Sequence, residues 1–492
     1  MAILGSSPIA REMDKRHVLR TKVVREHRTK VIQKMCGSSQ KSSRKCVRRT
    51  YTGDIDRRAL QPLKTWKSDP ARKPLVLRGA RQVGKTWLLQ EFGRSHYDNV
   101  AYVNCQRDRS VASIFAGDLD PDRILRGLAI AADTTINPAT TLVIVDEIQE
   151  APGALTSLKY FAEERPDVHF TAAGSLLGVA LRTNASFPVG KVNFIDLHPL
   201  DFDEFLRGIG DSRLADLVLE QDWPLITSYE DRLVELLRQY MFVGGMPEAV
   251  ARFAAGDSLD IVRALQFDIL RGYENDFAKY AAANVSRRIA EVWASLPSQL
   301  ARENKRFFLG RVREGARARE FEDALQWLND AGLVHRVTRY TKPANPIRAY
   351  EDAKIFKLFL HDVGLLGALA GLDDSVLLQG TGIFDEFKGA LTEQYVLQQI
   401  IAARSTAPMY WAPEDGRAEL DFSIERARTL VPIEVKAEEN LQSKSLRSYI
   451  ERFHPREAWR FSLADYREQD DMTNVPLYAI GPWLDVRHSK DF

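Results

Sequence analysis

Cysteine is nearly missing from this sequence. Three occur in 492 residues, Cys36, Cys46 and Cys105, too few for a disulfide framework or a cysteine-rich zinc site. They read as the reduced thiols of a cytoplasmic protein. Long apolar runs are missing too. Leu365–Leu372 is among the longest, far below the ~20 residues a membrane-spanning helix needs, so no membrane insertion is expected. The histidines are scattered with no H-E-x-x-H or similar set, and zinc hydrolysis is not indicated. Nor is there an overall excess of charge: 69 Lys and Arg face 67 Asp and Glu, a net of +2.

That balance conceals an asymmetry. Residues 1–50 hold 14 Lys and Arg against Glu12, Asp14 and Glu26, a net of +11, which leaves 55 against 64, or −9, for the rest. A basic arm of this kind suits nucleic acid or an anionic membrane, or is a disordered tail without a task. It has no apolar core before a cleavage site, so it is not a secretory signal; translation starting later, for example at Met35, would remove most of it. What the chain does have is apolar material. A hydrophobic fraction of 45% is enough for sizeable cores and excludes disorder throughout. The length suggests about two to four domains.

From Tyr51 the pattern becomes periodic. Short apolar runs at Leu75–Leu77, Asn99–Asn104, Thr141–Val145 and Val168–Ala173 alternate with helical patterns, which predicts a parallel, doubly wound α/β domain over residues 51–200. Residues 201–285 read as helical, punctuated by Gly244-Gly245-Met246-Pro247, a turn or helix start. Residues 286–345 give helices, Glu320–Asn329 among them, and a strand at Gly332–Val337, a winged-helix-like order. Residues 346–492 are mixed: a helix at Lys388–Ala402, strands at Met409–Trp411, Glu419–Ile424 and Leu430–Val435, a helix at Lys444–Arg452 and a strand at Leu477–Ile480. Trp87, Trp293 and Trp327 are expected in the core.

Gly79-Ala80-Arg81-Gln82-Val83-Gly84-Lys85-Thr86 satisfies G-x-x-x-x-G-K-[ST], with an apolar strand before it and an apolar helix start after it. Glycines let backbone N–H groups wrap a phosphate, the helix N-terminus adds a favourable dipole, Lys85 reaches the β- and γ-phosphates, and Thr86 is placed for Mg²⁺. Thr141–Val145 leads into Asp146-Glu147. Asp146 at the strand end can hold the hydration shell of Mg²⁺. Glu147 is placed to polarise an attacking water. Ser175 ends the strand Val168–Ala173; if that strand lies between the phosphate-loop strand and the Asp146 strand, Ser175 can sense a γ-phosphate. The alternative is a hydroxyl that closes a turn.

These three segments resemble the AAA+ class of P-loop ATPases. Leu77–Thr86, Leu197-His198-Pro199-Leu200-Asp201-Phe202-Asp203-Glu204-Phe205 and Gly244-Gly245-Met246-Pro247-Glu248-Ala249-Val250 resemble, more narrowly, a prokaryotic family of AAA-type ATP-binding proteins with a C-terminal domain of unknown function, over about Tyr51 to Ile480. The resemblance implies ATP and Mg²⁺ as cofactors. Relatives usually carry Gly-Arg shortly before the Leu-x-Pro-Leu motif, where this chain has Gly190-Lys191. Lysine keeps the charge but loses the planar fork, which puts an arginine-finger role at that position in question.

In the C-terminal part, Glu419-Leu420-Asp421-Phe422 is followed by Pro432-Ile433-Glu434-Val435-Lys436. A hairpin centred between Ala427 and Arg428 pairs Asp421 with Glu434 and Glu419 with Lys436, and so gathers four charged groups on one face. Asp421 and Glu434 could then share a divalent metal, with Lys436 stabilising charge at a scissile phosphate. This resembles the PD-(D/E)XK nuclease core, which also supplies a helical carboxylate, matched by Glu393. The alternative is a solvated edge hairpin with salt bridges. Lys305, Arg306, Arg311, Arg313, Arg317 and Arg319 form a basic approach, suited either to a DNA backbone or to the chain's own acidic neighbours. The expected function is an Mg²⁺-dependent ATPase coupled to a nuclease-like domain acting on DNA or RNA. The other reading is an ATP-operated switch or assembly protein with a non-cutting interaction module; under either reading the chain could form a homo-oligomer.

Overall fold

In the computed structural model, the described residues are 57–183, 190–301, 305–344, 346–373, 385–404, 407–413, 418–426, 428–437 and 443–488. The expected basic arm, residues 1–50, lies outside them. Residues 51–492 form one compact unit.

Two sheets organise that unit. The first has five parallel strands, β1 (Leu75–Arg78), β2 (Asn99–Asn104), β3 (Thr141–Asp146), β4 (His169–Ala173) and β5 (Asn193–Asp196), in the order β2-β3-β4-β1-β5. Its strands are continuous apolar runs because both faces are covered. Leu75, Leu77, Leu142 and Ile144 face one core, while Val76, Val143, Val145, Ala101 and Val103 face another. The first core does not stop at the domain. It continues through the helices between residues 201 and 300 into the second sheet, so the phosphate-loop domain, those helices and one face of the second sheet share one apolar interior.

The second sheet has eight strands: β6 (Val334–Tyr340), β7 (Glu351–Leu360), β8 (Met409–Trp411), β9 (Leu420–Arg426), β10 (Thr429–Val435), β11 (Trp459–Ser462), β12 (Arg467–Glu468) and β13 (Thr473–Pro476), ordered β12-β13-β11-β10-β9-β8-β6-β7. Strand β6 pairs with both β7 and β8, so this sheet runs across residue 345, between the winged-helix-like and C-terminal segments. The helix Asp385–Arg404 lies on the face that joins the large core. The helix Lys444–Phe453 covers the other face through Leu446 and Tyr449.

Two expectations are corrected. Leu477–Ile480 is not a strand: Leu477–Ala479 is a short 3₁₀ turn that opens the helix Ile480–His488, and the strand lies just before it at Thr473–Pro476. A short run of buried apolar residues does not tell strand from buried helix by periodicity alone. Trp87 is not core but 36% exposed, whereas Trp293 and Trp327 are buried. In the helix Lys85–His96 the buried positions include Leu88, Leu89 and Phe92, and Trp87 stands off that stripe.

Candidate functional site

The phosphate loop leaves β1 at Gly79 and re-enters regular structure at Lys85. Gly84, with φ 95°, precedes the helix Lys85–His96 in a left-handed conformation that glycine adopts without a steric penalty. Gly79 is needed for space: a Cβ there would lie 2.2 Å from the Leu197 carbonyl oxygen. Lys85 is only 7% exposed. Its Nζ donates to the carbonyls of Gly79, at 2.9 Å, and Ala80, at 2.7 Å, and burial lowers its pKa to about 8. Thr86 Oγ1 donates to Asp146 Oδ2 at 2.8 Å.

Around this loop the carboxylates are met by neutral donors. Besides Thr86, Asp146 Oδ2 accepts from Tyr102 Oη at 3.0 Å and Asn104 Nδ2 at 3.3 Å. Both come from β2, where Asn104 lies in register with Asp146. Glu147 sits in the left-handed region at φ 50°. It accepts from Gln149 Nε2 at 2.5 Å, from the Ser175 N–H at 3.2 Å and from Ser175 Oγ at 3.0 Å. Strand β4 does lie between β3 and β1, the condition set for Ser175. Sequence reasoning missed Tyr102, Asn104 and Gln149. A Cβ at Gly174 would fall 2.0 Å from the Gln149 side-chain oxygen, an approach that only the fold creates.

The loop is also braced from behind. Arg57 donates to the Val83 carbonyl at 3.0 Å, to the His198 carbonyl at 2.6 Å and to Glu204 Oε1 at 3.0 Å. Glu204 and Asp201 form a reciprocal capping box on the helix Phe202–Gly208, the arrangement that satisfies two orphan N–H groups at a helix start. The Gly244-Gly245 segment seats against the same place. A Cβ on Gly245 would lie 2.0 Å from the Leu200 carbonyl oxygen, and one on Gly244 2.2 Å from Asp362 Oδ1. Buried Asp362 accepts from the Gly245 N–H at 2.6 Å and the Leu365 N–H at 2.9 Å. Gln398 and Gln399 on the helix Asp385–Arg404 tie in the C-terminal part, Gln399 accepting from the Phe202 N–H at 3.0 Å.

Comparison with known proteins agrees with this geometry. A family model described as an AAA domain matches residues 71–206. With the sheet order and the loop, that identifies the segment. Residues 71–206 have the P-loop ATPase fold. Two more models, both described as domains of unknown function, DUF8612 and DUF4143, match residues 234–376 and 388–480. The chain is 26% identical over 389 residues to "Uncharacterized protein Rv2008c" of Mycobacterium tuberculosis, covering 77% of this chain and 74% of that protein. "Uncharacterized protein Mb2031c" of Mycobacterium bovis matches equally. Among solved structures, the Walker-type ATPase PABY2304 of Pyrococcus abyssi aligns at 14% identity with a TM-score of 0.41, over 64% of this chain and 95% of that one. The ORC1 protein of Aeropyrum pernix in complex with DNA aligns at 13% identity with a TM-score of 0.28, over 65% and 93%.

The C-terminal charged residues fall into two groups. The β9–β10 hairpin has the expected register, with Phe422 opposite Ile433 and Arg426 opposite Thr429. Across β8 and β9, however, Met409 pairs with Ser423 while Trp411 pairs with Leu420, so β9 carries one extra residue, a bulge. The bulge breaks alternation. Leu420 and Ser423 face the helix Lys444–Phe453, through Leu446, Tyr449 and Tyr340, and both Asp421 and Phe422 turn to the other face. Phe422 enters the large core. Asp421 meets Glu393 by a side-chain hydrogen bond and accepts from the Val435 N–H at 2.8 Å. Glu434 lies between Ile433 and Val435, which both enter the large core, so it points the opposite way. There it pairs with Lys436 at 2.9 Å, beside Arg460, its register partner on β11. The expected single face of Glu419, Asp421, Glu434 and Lys436 is therefore split in two.

On the Asp421 face the counter-ions are lysines. Lys305 contacts Glu393 Oε1 closely, and Lys357, 1% exposed, lies 2.6 Å from Glu419 and 3.9 Å from Glu393. Burial would raise the Glu393 pKa, but Lys305 and Lys357 hold it below the usual range. Asp421 is pushed up to about 8 by burial and by the neighbouring Glu393. Among the described residues no three His, Cys, Asp or Glu side chains are placed to hold a metal ion. Lys357 had a sequence sign that went unread: it interrupts the apolar run Ile355-Phe356-Lys357-Leu358-Phe359-Leu360. In the basic approach, Arg313 pairs with Glu291 and Glu320.

Proposed function

We propose that this protein is an ATP-operated switch: an Mg²⁺-dependent ATPase whose loop state is passed to the C-terminal sheet, with that sheet serving as a non-cutting interaction module. One observation carries the reading. The phosphate loop is gripped by Arg57, Tyr273 and Asp276, from outside the AAA-matched segment, and the same apolar core reaches the C-terminal sheet. A change in the loop on filling would therefore reach residues beyond it.

The donor set fits the implied metal: the Thr86 hydroxyl and the Asp146 carboxylate are adjacent hard oxygens, the ligand type Mg²⁺ prefers. When bound, Mg²⁺ supplies charge neutralisation at the phosphate oxygens. The chain's own residues do the rest. Backbone N–H groups from Gly79 to Lys85 face the phosphates, with Lys85 leaving its two carbonyl partners for them. Glu147 accepts a proton from the attacking water as its oxygen bonds to the γ-phosphorus. The bond from the γ-phosphorus to the bridging oxygen breaks, and its electron pair leaves with ADP. Ser175 and Gln149 orient Glu147.

The nuclease-like reading has less support, because Asp421 and Glu434 turn to opposite faces and lysines neutralise Glu393 and Glu419. The test is ATP turnover measured with and without DNA or RNA, beside a cleavage assay in Mg²⁺ or Mn²⁺. ATP turnover without cleavage is expected. Metal-dependent cleavage lost in Glu434→Ala would replace this reading with the nuclease one.

A further inference from the structure

Lys191 cannot serve the phosphate site of its own chain. It pairs with Glu163 at 2.9 Å just before β5, whose first residue, Asn193, lies level with Leu75 at the start of β1. The phosphate loop leaves the other end of these parallel strands. Another cation stands where Lys191 does not reach. Arg81 is the third residue of the loop, and its side chain is 47% exposed. Its Nη1 donates to Asp276 Oδ1 at 2.8 Å, and that carboxylate is 7% exposed. Its backbone carbonyl accepts from Tyr273 Oη at 2.9 Å. Tyr273, Asp276 and Tyr280 share one face of the helix Leu259–Tyr280 by their three- and four-residue spacing, and Tyr280 Oη reaches Glu150 at 3.3 Å. Both Arg81 and Lys85 lie close enough to Glu147 to feel its charge.

We propose that Arg81 is a catalytic arginine supplied in cis, which bonds the γ-phosphoryl oxygens as charge develops on them, and that Asp276 is its positioning residue. The inference rests on the ATPase reading above. The guanidinium is tied by one nitrogen to a nearly buried carboxylate, so its direction is fixed before substrate arrives. It is half exposed, so its remaining donors need no costly desolvation to meet a phosphate, and a planar fork suits phosphate oxygens. Its anchor belongs to a helix outside the AAA-matched segment, so a shift of that helix would withdraw the charge from Glu147 and the phosphate together. This gives the switch a physical handle: the helix Leu259–Tyr280 sets whether the arginine is in place.

The test separates chemistry from binding. In the full chain, Arg81→Ala is expected to lower kcat by about 10²–10³-fold, the usual cost of losing one preorganised charge donor, with the Kd for ATP changed only a few-fold. Free guanidinium ion should restore part of the lost rate in Arg81→Ala and none in Lys85→Ala. Asp276→Ala should lower kcat less, and the two substitutions together should cost no more than Arg81→Ala alone, because Asp276 acts through Arg81. Parental kcat in Arg81→Ala, or a loss of ATP affinity that accounts for the whole drop in kcat/KM, would overturn the assignment; so would additive costs. Absence of ATP turnover in the parental protein would remove the ATPase reading and this one with it, whereas parental turnover that is lost in Lys85→Ala but not in Arg81→Ala removes this one alone.

Discussion

The carboxylates beside the phosphate loop and those in the C-terminal sheet are partnered in opposite ways. Beside the phosphate loop, Asp146 and Glu147 accept from Thr86, Tyr102, Asn104, Gln149 and Ser175, all uncharged. Neutral donors orient a carboxylate without cancelling its charge, so the pair still favours an added cation. In the C-terminal sheet, Glu393 and Glu419 meet Lys305 and Lys357, and Glu434 meets Lys436. Those carboxylates already hold their counter-ions, and a metal would have to displace a lysine. Similar residue types thus make one cluster whose charge stays open to a cation and one whose charge holds a sheet to a helix.

The largest effect should come from the first cluster's partner. Lys85→Ala removes the main side-chain charge offered to the β- and γ-phosphates, and nucleotide binding or turnover should fall below detection in calorimetric and ATPase assays. Unchanged hydrolysis by a folded Lys85→Ala protein would move the site elsewhere. Glu147→Gln should keep ATP binding and slow turnover by about 10²–10⁴-fold, the usual contribution of a general base. Parental turnover in that variant would assign the base to another group.

The second cluster should respond in stability rather than in turnover. Lys357→Met leaves Glu393 and Glu419 short of a buried counter-ion, a change that costs about 3–5 kcal/mol where one partner of a buried pair is removed. Lys436→Ala, at a side chain 34% exposed and with Arg460 still beside Glu434, should cost less. Denaturant unfolding measures both. Equal costs would mean that Lys357 is not the internal cation of the sheet.

The two regions also differ in how much their sequences reveal. The phosphate loop, Asp146 and Glu147 are contiguous with the strands that carry them, so spacing alone sets their placement. The Leu197–Phe205 and Gly244–Val250 segments were legible as motifs but not as a contact, because only the fold brings Leu200 against Gly245. The hairpin register followed from the spacing of Asp421 and Glu434. The bulge at Asp421 did not, since the residue that creates the mismatch is counted against β8, a strand paired from outside the hairpin. One extra residue there was enough to send two carboxylates to opposite faces.

A smaller effect separates the regions by pH. In the free protein burial holds the Lys85 pKa at about 8, while bound phosphates would raise it. Below pH 8 the ammonium is already charged and affinity is flat; above it, binding must take up a proton, and the Kd for ATP should rise about tenfold per pH unit. A Kd that does not change up to pH 9.5 would place the Lys85 proton, and hence its burial, elsewhere.

The last effect, read in the unfolding temperature, is the sharpest test of the comparison. Asp421 has a folded-state pKa of about 8, against an ordinary carboxyl value of about 3.9 in the unfolded chain. The folded state therefore prefers the protonated form, and this group subtracts stability progressively as pH rises from about 4 to about 8, with no further loss above that. Asp421→Asn keeps an oxygen for the Val435 N–H and an N–H for Glu393 but cannot ionise. The variant should match the parental protein in thermal unfolding near pH 4 and exceed it by a few degrees at pH 8, and Mg²⁺ should shift neither in the absence of nucleotide. If instead the parental protein is the more stable at pH 8, and Mg²⁺ stabilises it further but not Asp421→Asn, then Asp421 is ionised and cation-seeking like Asp146, the lysines do not neutralise the cluster, and the contrast between the two regions fails.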